Sequence, residues 1–151
     1  MAALPDVNFW LALAWEMHDG HPAARAWWQT RRNERIYFCR VTQAALLRLL
    51  TNRSVMKGTP KSQAEAWQIF DALRGAPGVE WAGETEGLES EWRRLSSRAS
   101  ASTERWTDDC LAAWARLLNF RVITFDAGFK DYPGLQLELL STPAPASAPI
   151  A

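Results

Sequence analysis

Aspartates stand at three separated points of the sequence where predicted strands and helices meet. Asp6 follows a short apolar segment and precedes a helix, and Asp126 ends the segment "VITFD". Asp108 and Asp109 open another helix. Carboxylates held close together repel one another unless a cation binds or a proton is shared. Hard oxygen ligands of this kind suit Mg²⁺ or Mn²⁺, so the pattern predicts a divalent-metal site if the fold brings these acids together.

Each acid also has an ordinary structural explanation. Asp6 can cap a helix, and Asp126 can form a turn before Gly128. Asp108 and Asp109 can complement the dipole of the helix that they open. Taken singly, these roles are the more common ones. The metal-site hypothesis therefore depends on convergence of the acids in space.

Other catalytic chemistries find little support. The sequence contains no HExxH, no CxxC and no His pair at ligand spacing, which disfavours zinc. Cys39 and Cys110 stand far apart and are predicted to be two buried free thiols. No Ser/His/Asp arrangement or phosphate-binding Gly loop is visible, so esterases and nucleotide hydrolases are excluded.

Hydrophobic patterning predicts strands that alternate with helices. The predicted strands are a short one ending near Asp6, residues 35–41, a short one within "PGVEWAG", "RVITFD" and residues 135–140. The predicted helices are "NFWLALAWEM", "HPAARAWWQTRR", "TQAALLRLLTN" with Thr42 as its N-cap, "KSQAEAWQIFDALRG", "ETEGLESEWRRLSSRA" and "TDDCLAAWARLLNF".

This alternation predicts an α/β fold with a parallel sheet flanked by helices. In such a fold the C-termini of the strands and the N-termini of the helices meet at one edge of the sheet, where ligands bind. Asp6, Asp108 and Asp126 all fall at that edge. The topology thus predicts the convergence that the metal site requires.

Three segments together resemble a known family: "LPDVNFWLALAWEMHDGHPAARAWW", "VTQAALLRLLTN" and "TDDCLAAWARLLNFRVITFDAGF". They are similar to PIN-domain ribonucleases of the VapC type, the toxins of bacterial type II toxin–antitoxin pairs, over residues 3–140. The resemblance implies a PIN-like α/β/α sandwich and Mg²⁺- or Mn²⁺-dependent hydrolysis of RNA. It assigns Asp6, Asp108 and Asp126 as catalytic metal ligands, with Asp109 in the position that is usually small.

The resemblance also implies auxiliary residues and one departure. Asn8 and Thr124 would orient ligands or water. The Glu that many members carry after strand two aligns with Ala45, so Thr42, Gln43 or water would fill that place. The missing acid leaves open one metal or two, and a non-catalytic interaction module with a degraded metal site is the alternative function.

A phosphatase of the haloacid-dehalogenase type is disfavoured, because the position of its second Asp holds Asn8.

RNA would have to be drawn to an acidic pocket by basic side chains. Arg40, Arg48, Arg53 and Lys57 flank the predicted edge. For Arg48, an ion pair on the helix face is expected before a substrate contact. By resemblance, the further partners are a small antitoxin whose C-terminal segment covers the pocket and a second copy of the chain in a homodimer.

The composition is that of an ordinary globular protein. Among 151 residues, Lys plus Arg and Asp plus Glu number 17 each, so net charge indicates neither a nucleic-acid nor a membrane partner. One domain is expected over residues 1–140, followed by a disordered Pro/Ala/Ser-rich tail over 141–151. The N-terminal apolar run is too short to span a bilayer and lacks a basic leader, which predicts a cytoplasmic protein. The nine Trp residues are attributed to core packing and to an apolar helix face used for dimerisation, and stacking on nucleic-acid bases is the less favoured alternative.

Overall fold

The structure is a computed structural model that describes residues 1–31 and 33–142. Residues 143–151, most of the predicted tail, lie outside the described residues. In the described residues, five strands form one sheet in the order β3-β2-β1-β4-β5, and each neighbouring pair is parallel. The strands are β1 (Ala2–Pro5), β2 (Arg35–Phe38), β3 (Val79–Trp81), β4 (Arg121–Thr124) and β5 (Leu137–Leu139). The predicted parallel α/β fold is confirmed.

Helices cover both faces of the sheet. They are α1 (Val7–Ala14), α2 (His21–Thr30), α3 (Arg40–Leu50), α4 (Gln63–Arg74), α5 (Leu88–Ser96) and α6 (Trp106–Leu118), and a 3₁₀-helix spans Ala127–Asp131. The 3₁₀-helix was not predicted. No helix of the described segments is long and apolar enough to cross a membrane.

Two hydrophobic layers follow from the alternation of side chains along the strands. Ala3 and Ile123 pack with α1 to α4, whereas Leu4 and Val122 pack with α5 and α6. Because β1 and β4 are buried on both faces, their apolar residues are nearly continuous instead of alternating with polar ones. In the first layer the Trp10 ring stacks on another aromatic ring, that of Phe38, with centroids 3.9 Å apart. The attribution of Trp residues to core packing therefore holds for Trp10.

Several predicted boundaries were wrong. The strand predicted over residues 35–41 ends at Phe38, and α3 begins at Arg40. Thr42 is consequently not the N-cap: its Oγ1 accepts a hydrogen bond from the backbone N–H of Cys39, the residue that occupies that place. The β-branched and aromatic residues continue across this junction, so their pattern contained no signal for the change of element. The segments predicted for α1, α5 and β5 are also longer than the observed elements.

Candidate active site

The edge formed by the C-termini of the strands carries three aspartates. Asp6 follows β1 directly and caps α1, and its Oδ1 accepts a hydrogen bond of 2.7 Å from Val7 N. Asp126 stands two residues after β4 and caps the 3₁₀-helix, accepting 2.8 Å from Gly128 N. Asp108 lies in the first turn of α6. The capping and turn roles expected for Asp6 and Asp126 are therefore present, together with their shared location.

Burial makes the charge of Asp6 costly. The residue is 7% exposed, and desolvation raises the pKa of its carboxyl group to about 6. Hydrogen bonds from Thr124 and Val7 act in the opposite direction, and the charge of Asp126 adds to the increase in pKa. The hydrogen bonds of the folded chain therefore do not fully offset the cost of burying the ionised Asp6 carboxylate.

The pKa of Asp108 is raised further, again by burial and by nearby carboxylates. Desolvation, followed by the charges of Asp6 and Asp126, raises the pKa of Asp108 to about 7, while Arg105 lowers it. Within the described residues, no hydrogen bond to the Asp108 carboxylate is found. Asp6, Asp108 and Asp126 therefore form one electrostatic cluster, in which a bound cation would relieve mutual repulsion.

Thr124 and Asn8 hold Asp6 in a fixed orientation. The Thr124 hydroxyl is fully buried and donates to Asp6 Oδ2 at 2.9 Å. It also accepts hydrogen bonds from Asn8 Nδ2 at 3.1 Å and from the backbone N–H of Asp126 at 3.0 Å. Asn8 Oδ1 accepts in turn from the backbone N–H of Phe125 at 3.3 Å. One hydroxyl thereby connects the ends of β1 and β4 and orients the Asp6 carboxylate.

Asp109 belongs to a different cluster from its neighbour Asp108. It is 1% exposed, and the Arg98 guanidinium donates to its two oxygens at 2.7 and 2.6 Å. The Tyr132 hydroxyl donates to Oδ1 at 2.5 Å. Burial opposes ionisation, but these hydrogen bonds outweigh it and hold the pKa of Asp109 below its usual value. Asp109 is therefore committed to an internal ion pair, and Asp108 is left for the acidic cluster.

Sequence reasoning missed this second cluster. Arg98 and Tyr132 belong to loops on either side of α6 in the chain, and no motif spacing relates them to Asp109. The two adjacent acids in "TDDC" are the only nearby sequence feature, and their adjacency does not reveal which of them forms the ion pair.

Two of the basic residues predicted to flank the edge follow α3 in the chain: Lys57 Nζ lies 4.0 Å from Asp19 Oδ1, and Arg53 is exposed. The other predicted residues lie on α3 and either bond to their near neighbours in the chain or are exposed. Thr42 Oγ1 bonds to the backbone of Cys39, and Gln43 Oε1 accepts from Arg40 at 2.5 Å. Arg48 is exposed and forms no ion pair with any described residue, so the expected ion pair is wrong. The structure shows no hydrogen bond between this helix and the three clustered acids.

The acids fit a divalent cation by chemistry more than by their present spacing. In the described ranges, no three His, Cys, Asp or Glu side chains stand close enough together to hold a metal ion. The donor set itself consists of hard carboxylate oxygens whose mutual repulsion and desolvation raise two pKa values. Asp6, Asp108 and Asp126 are the residues that would hold Mg²⁺ or Mn²⁺, because both ions prefer carboxylate oxygens.

Comparison with known proteins identifies the family. The PIN domain matches residues 3–135. This chain belongs to the PIN-domain family. It is 42% identical over 143 residues to Ribonuclease VapC41 of Mycobacterium tuberculosis, covering 91% of this chain and 98% of that protein. It is 30% identical over 132 residues to Ribonuclease VapC39 of the same species, covering 87% and 93%. The resemblance to VapC-type PIN domains predicted from sequence is confirmed.

Solved structures show the same fold. VapBC2 from Rickettsia felis, bound to a promoter DNA fragment, matches with a TM-score of 0.68 at 16% identity, covering 93% of this chain and 100% of that chain. VapC20 of Mycobacterium tuberculosis, a Sarcin-Ricin loop cleaving toxin, matches with a TM-score of 0.64 at 19% identity, covering 86% and 93%. Both likenesses concern the fold alone.

Proposed function

We propose that this protein is a metal-dependent endoribonuclease that hydrolyses RNA phosphodiester bonds as the toxin of a toxin–antitoxin pair. The observation that carries the proposal is the electrostatic coupling of Asp6, Asp108 and Asp126 at the ligand-binding edge of a PIN fold. The likeness to Ribonuclease VapC41 across almost the whole chain supports RNA as the substrate.

The three clustered acids would hold Mg²⁺ or Mn²⁺. When bound, such a cation lowers the pKa of a coordinated water and stabilises negative charge on the reacting phosphate. The residues of the chain supply position. Thr124 and Asn8 hold the Asp6 carboxylate through the hydrogen bonds described above, and the cation Arg105 partly offsets the repulsion at Asp108.

A non-catalytic interaction module is the second candidate, and two observations favour it. Ala45 stands where the resemblance places a fourth acid, and no three potential ligands among the described residues are at metal-binding distance. In this case the protein would keep the three acids at the edge of the sheet but would not cleave RNA. Calorimetric titration with Mg²⁺ and Mn²⁺ separates the two candidates, because the module predicts no binding by a folded chain.

We propose an antitoxin and a second copy of this chain as protein partners. Two of the similar solved structures are VapBC assemblies, from Rickettsia felis and from nontypeable Haemophilus influenzae. Co-expression of the chain with the product of a neighbouring small gene, followed by size-exclusion chromatography with light scattering, tests both partners. A monomer that co-purifies with nothing contradicts this part of the proposal.

The decisive experiment is an RNA cleavage assay with a matched pair of variants. The purified chain is incubated with structured RNA in Mn²⁺, in Mg²⁺ and in EDTA. Asp108→Asn should abolish metal-dependent cleavage. Asp71→Asn makes the same chemical change on an exposed face of α4 and should leave cleavage unchanged. Equal cleavage by both variants would show that the activity does not arise at this site.

A further inference from the structure

A groove crosses the exposed side of α3 and reaches the first turn of α6. It consists of two clefts of about 320 and 370 Å³ that meet at Arg48, a residue lining both. The first cleft also reaches Thr107, the residue that precedes Asp108 on α6. The second ends at Trp67 on α4. We call these two clefts together the α3 groove.

The groove is positively charged. Arg40 and Arg48 are its charged lining residues, and no Asp or Glu lines either cleft. Both arginines are exposed, and neither forms an ion pair with the described part of the chain. Six other arginines of the described segments, Arg98 among them, pair with a carboxylate; Arg25, Arg35, Arg53 and Arg74 form no such pair there, but they line neither cleft. A protein of zero net charge thus leaves two unpaired cations in one groove, which favours an anionic ligand.

The two arginines are arranged along one row of the helix. Arg48 lies eight positions after Arg40, which places the two residues roughly 12 Å apart along the axis of α3. The Arg40 guanidinium lies 4.9 Å from the centroid of the Trp81 ring and donates to Gln43, so its position is already restricted. Ala44 lies between the two arginines and lines the cleft with a methyl group only. An extended polyanion can therefore follow the row.

An aromatic side chain lies at the far end of the groove. Trp67 is 49% exposed and contacts Phe70 edge to face, with centroids 5.9 Å apart. Exposed aromatic rings beside cations are the usual means by which proteins bind single-stranded nucleic acid, because every base can stack on them. An acidic peptide would satisfy the arginines but has no need of an exposed indole.

We propose that the α3 groove binds a single-stranded RNA segment next to the bond that is cleaved. Arg40 and Arg48 contact successive parts of the phosphate backbone, and Trp67 stacks on a base. The inference rests on the proposed ribonuclease function and assigns the residues that receive the substrate outside the acidic cluster. It also gives Ala45 a role, since its small side chain keeps the start of the groove open beside Thr107.

Binding of a fluorescein-labelled single-stranded RNA of about a dozen nucleotides tests the charge. Anisotropy titrations use the full chain in EDTA, which prevents cleavage, over a range of salt concentrations. Arg48→Ala should weaken binding roughly three- to tenfold and reduce the slope of log K against log salt by about 0.7, the value for one phosphate contact on a single strand. Arg25→Ala is the matched control, because Arg25 is an exposed arginine of α2 that lines neither cleft. Its affinity and slope should match those of the wild type.

Stacking is tested at Trp67. Trp67→Ala should weaken RNA binding roughly fivefold or more, whereas Trp67→Phe retains an aromatic face and most of the affinity. Melting curves confirm that both variants fold. Equal affinities of the Ala and Phe variants would overturn the stacking role.

Two further outcomes would overturn the inference. If Arg48→Ala and Arg25→Ala bind RNA equally, the groove is not the RNA site. If Arg48→Ala keeps RNA affinity but loses affinity for a polyglutamate peptide, the groove is a site for an acidic protein segment.

The cleavage assay separates this inference from the proposed function. Metal-dependent cleavage that Arg48→Ala and Trp67→Ala leave unchanged refutes the groove and leaves the ribonuclease intact. RNA binding that depends on Arg48, in a chain that cleaves no RNA, supports the groove as an RNA site and refutes the proposed ribonuclease activity.

Discussion

Neutralising Asp108 and neutralising Asp109 should change the stability of the protein in opposite directions. The two residues are adjacent in sequence and both lie in the first turn of α6. Asp109 is an ion-paired carboxylate whose pKa lies below its usual value, and Asp108 is a carboxylate repelled by its neighbours, with a pKa of about 7. The same Asp→Asn change therefore removes a favourable charge at one position and an unfavourable charge at the next.

For Asp109→Asn the expected loss is about 2–4 kcal/mol. Breaking a buried ion pair costs about 3–5 kcal/mol when one charge is left uncompensated. Two facts lower that figure: the Arg98 side chain is 31% exposed and can be partly hydrated, and Asn retains an oxygen for the Tyr132 hydroxyl. In a chain of this length each kcal/mol shifts the Tm by about 2–4 °C. The expected decrease in Tm is therefore about 4–16 °C.

For Asp108→Asn the metal-free protein should gain stability. In the folded state the pKa rises from 3.8 to about 7, so ionisation is disfavoured there relative to the unfolded chain. The folded state consequently loses stability as pH rises from about 4 to about 7. Because Asp108 is partly exposed and solvent screens its neighbours, we expect about 1–3 kcal/mol from removing the charge at neutral pH.

Urea denaturation in EDTA at neutral pH measures both values. Asp71→Asn on the exposed face of α4 gives the baseline for the chemical change alone. A double-mutant cycle of Asp109→Asn with Arg98→Met should show a coupling energy of about 1–3 kcal/mol. The reasoning is refuted if the two variants shift stability in the same direction, or if the cycle shows no coupling.

Three further predictions concern the acidic cluster. Unfolding free energy of the metal-free wild type should fall between about pH 4 and pH 7, because the folded-state pKa values of Asp6 and Asp108 are raised to about 6 and about 7; a stability that rises over this range in EDTA contradicts the coupling. Mn²⁺ at roughly a hundred times its Kd should stabilise the wild type by about 2.7 kcal/mol and leave Asp6→Asn nearly unaffected; calorimetric scans check this, and equal shifts would place the ion elsewhere. Thr124→Val should cost about 1–3 kcal/mol and raise the pKa of Asp6 further, because the variant loses the hydroxyl that serves Asp6, Asn8 and the Asp126 N–H; an NMR titration of the Asp6 carboxyl group measures the shift, and an unchanged pKa would show that the hydroxyl does not stabilise the charge.

The order of strands and helices could be predicted because the period of the apolar residues differs between the two kinds of element. Runs such as "RVIT" and "LAAWARLL" differ in period, and the strands and helices form where those periods indicate. Boundaries were less accurate. At the β2 to α3 junction, the capping role of Cys39 depends on local backbone geometry that no apolar pattern records.

The candidate site divides in the same way. The topology of a parallel sheet determines that residues following β1 and β4 share an edge with the N-terminus of α6, so the location of Asp6, Asp108 and Asp126 follows from sequence order. The roles of the neighbouring acids do not follow from it. Asp109 acquires its ion pair from Arg98 and its third hydrogen bond from Tyr132, residues of two different loops.

The sequence by itself determined the α/β architecture, the family resemblance and the edge at which the acids gather, because these depend on local periodicity and on the order of elements. Only the tertiary structure decided which carboxylates interact electrostatically and which one forms an internal ion pair. It also decided that Arg48 forms no ion pair with the described residues and lines a groove that leads to Trp67. Those properties depend on burial and on contacts between residues far apart in the chain. Electrostatic energies vary steeply with both, and neither is encoded in any short segment.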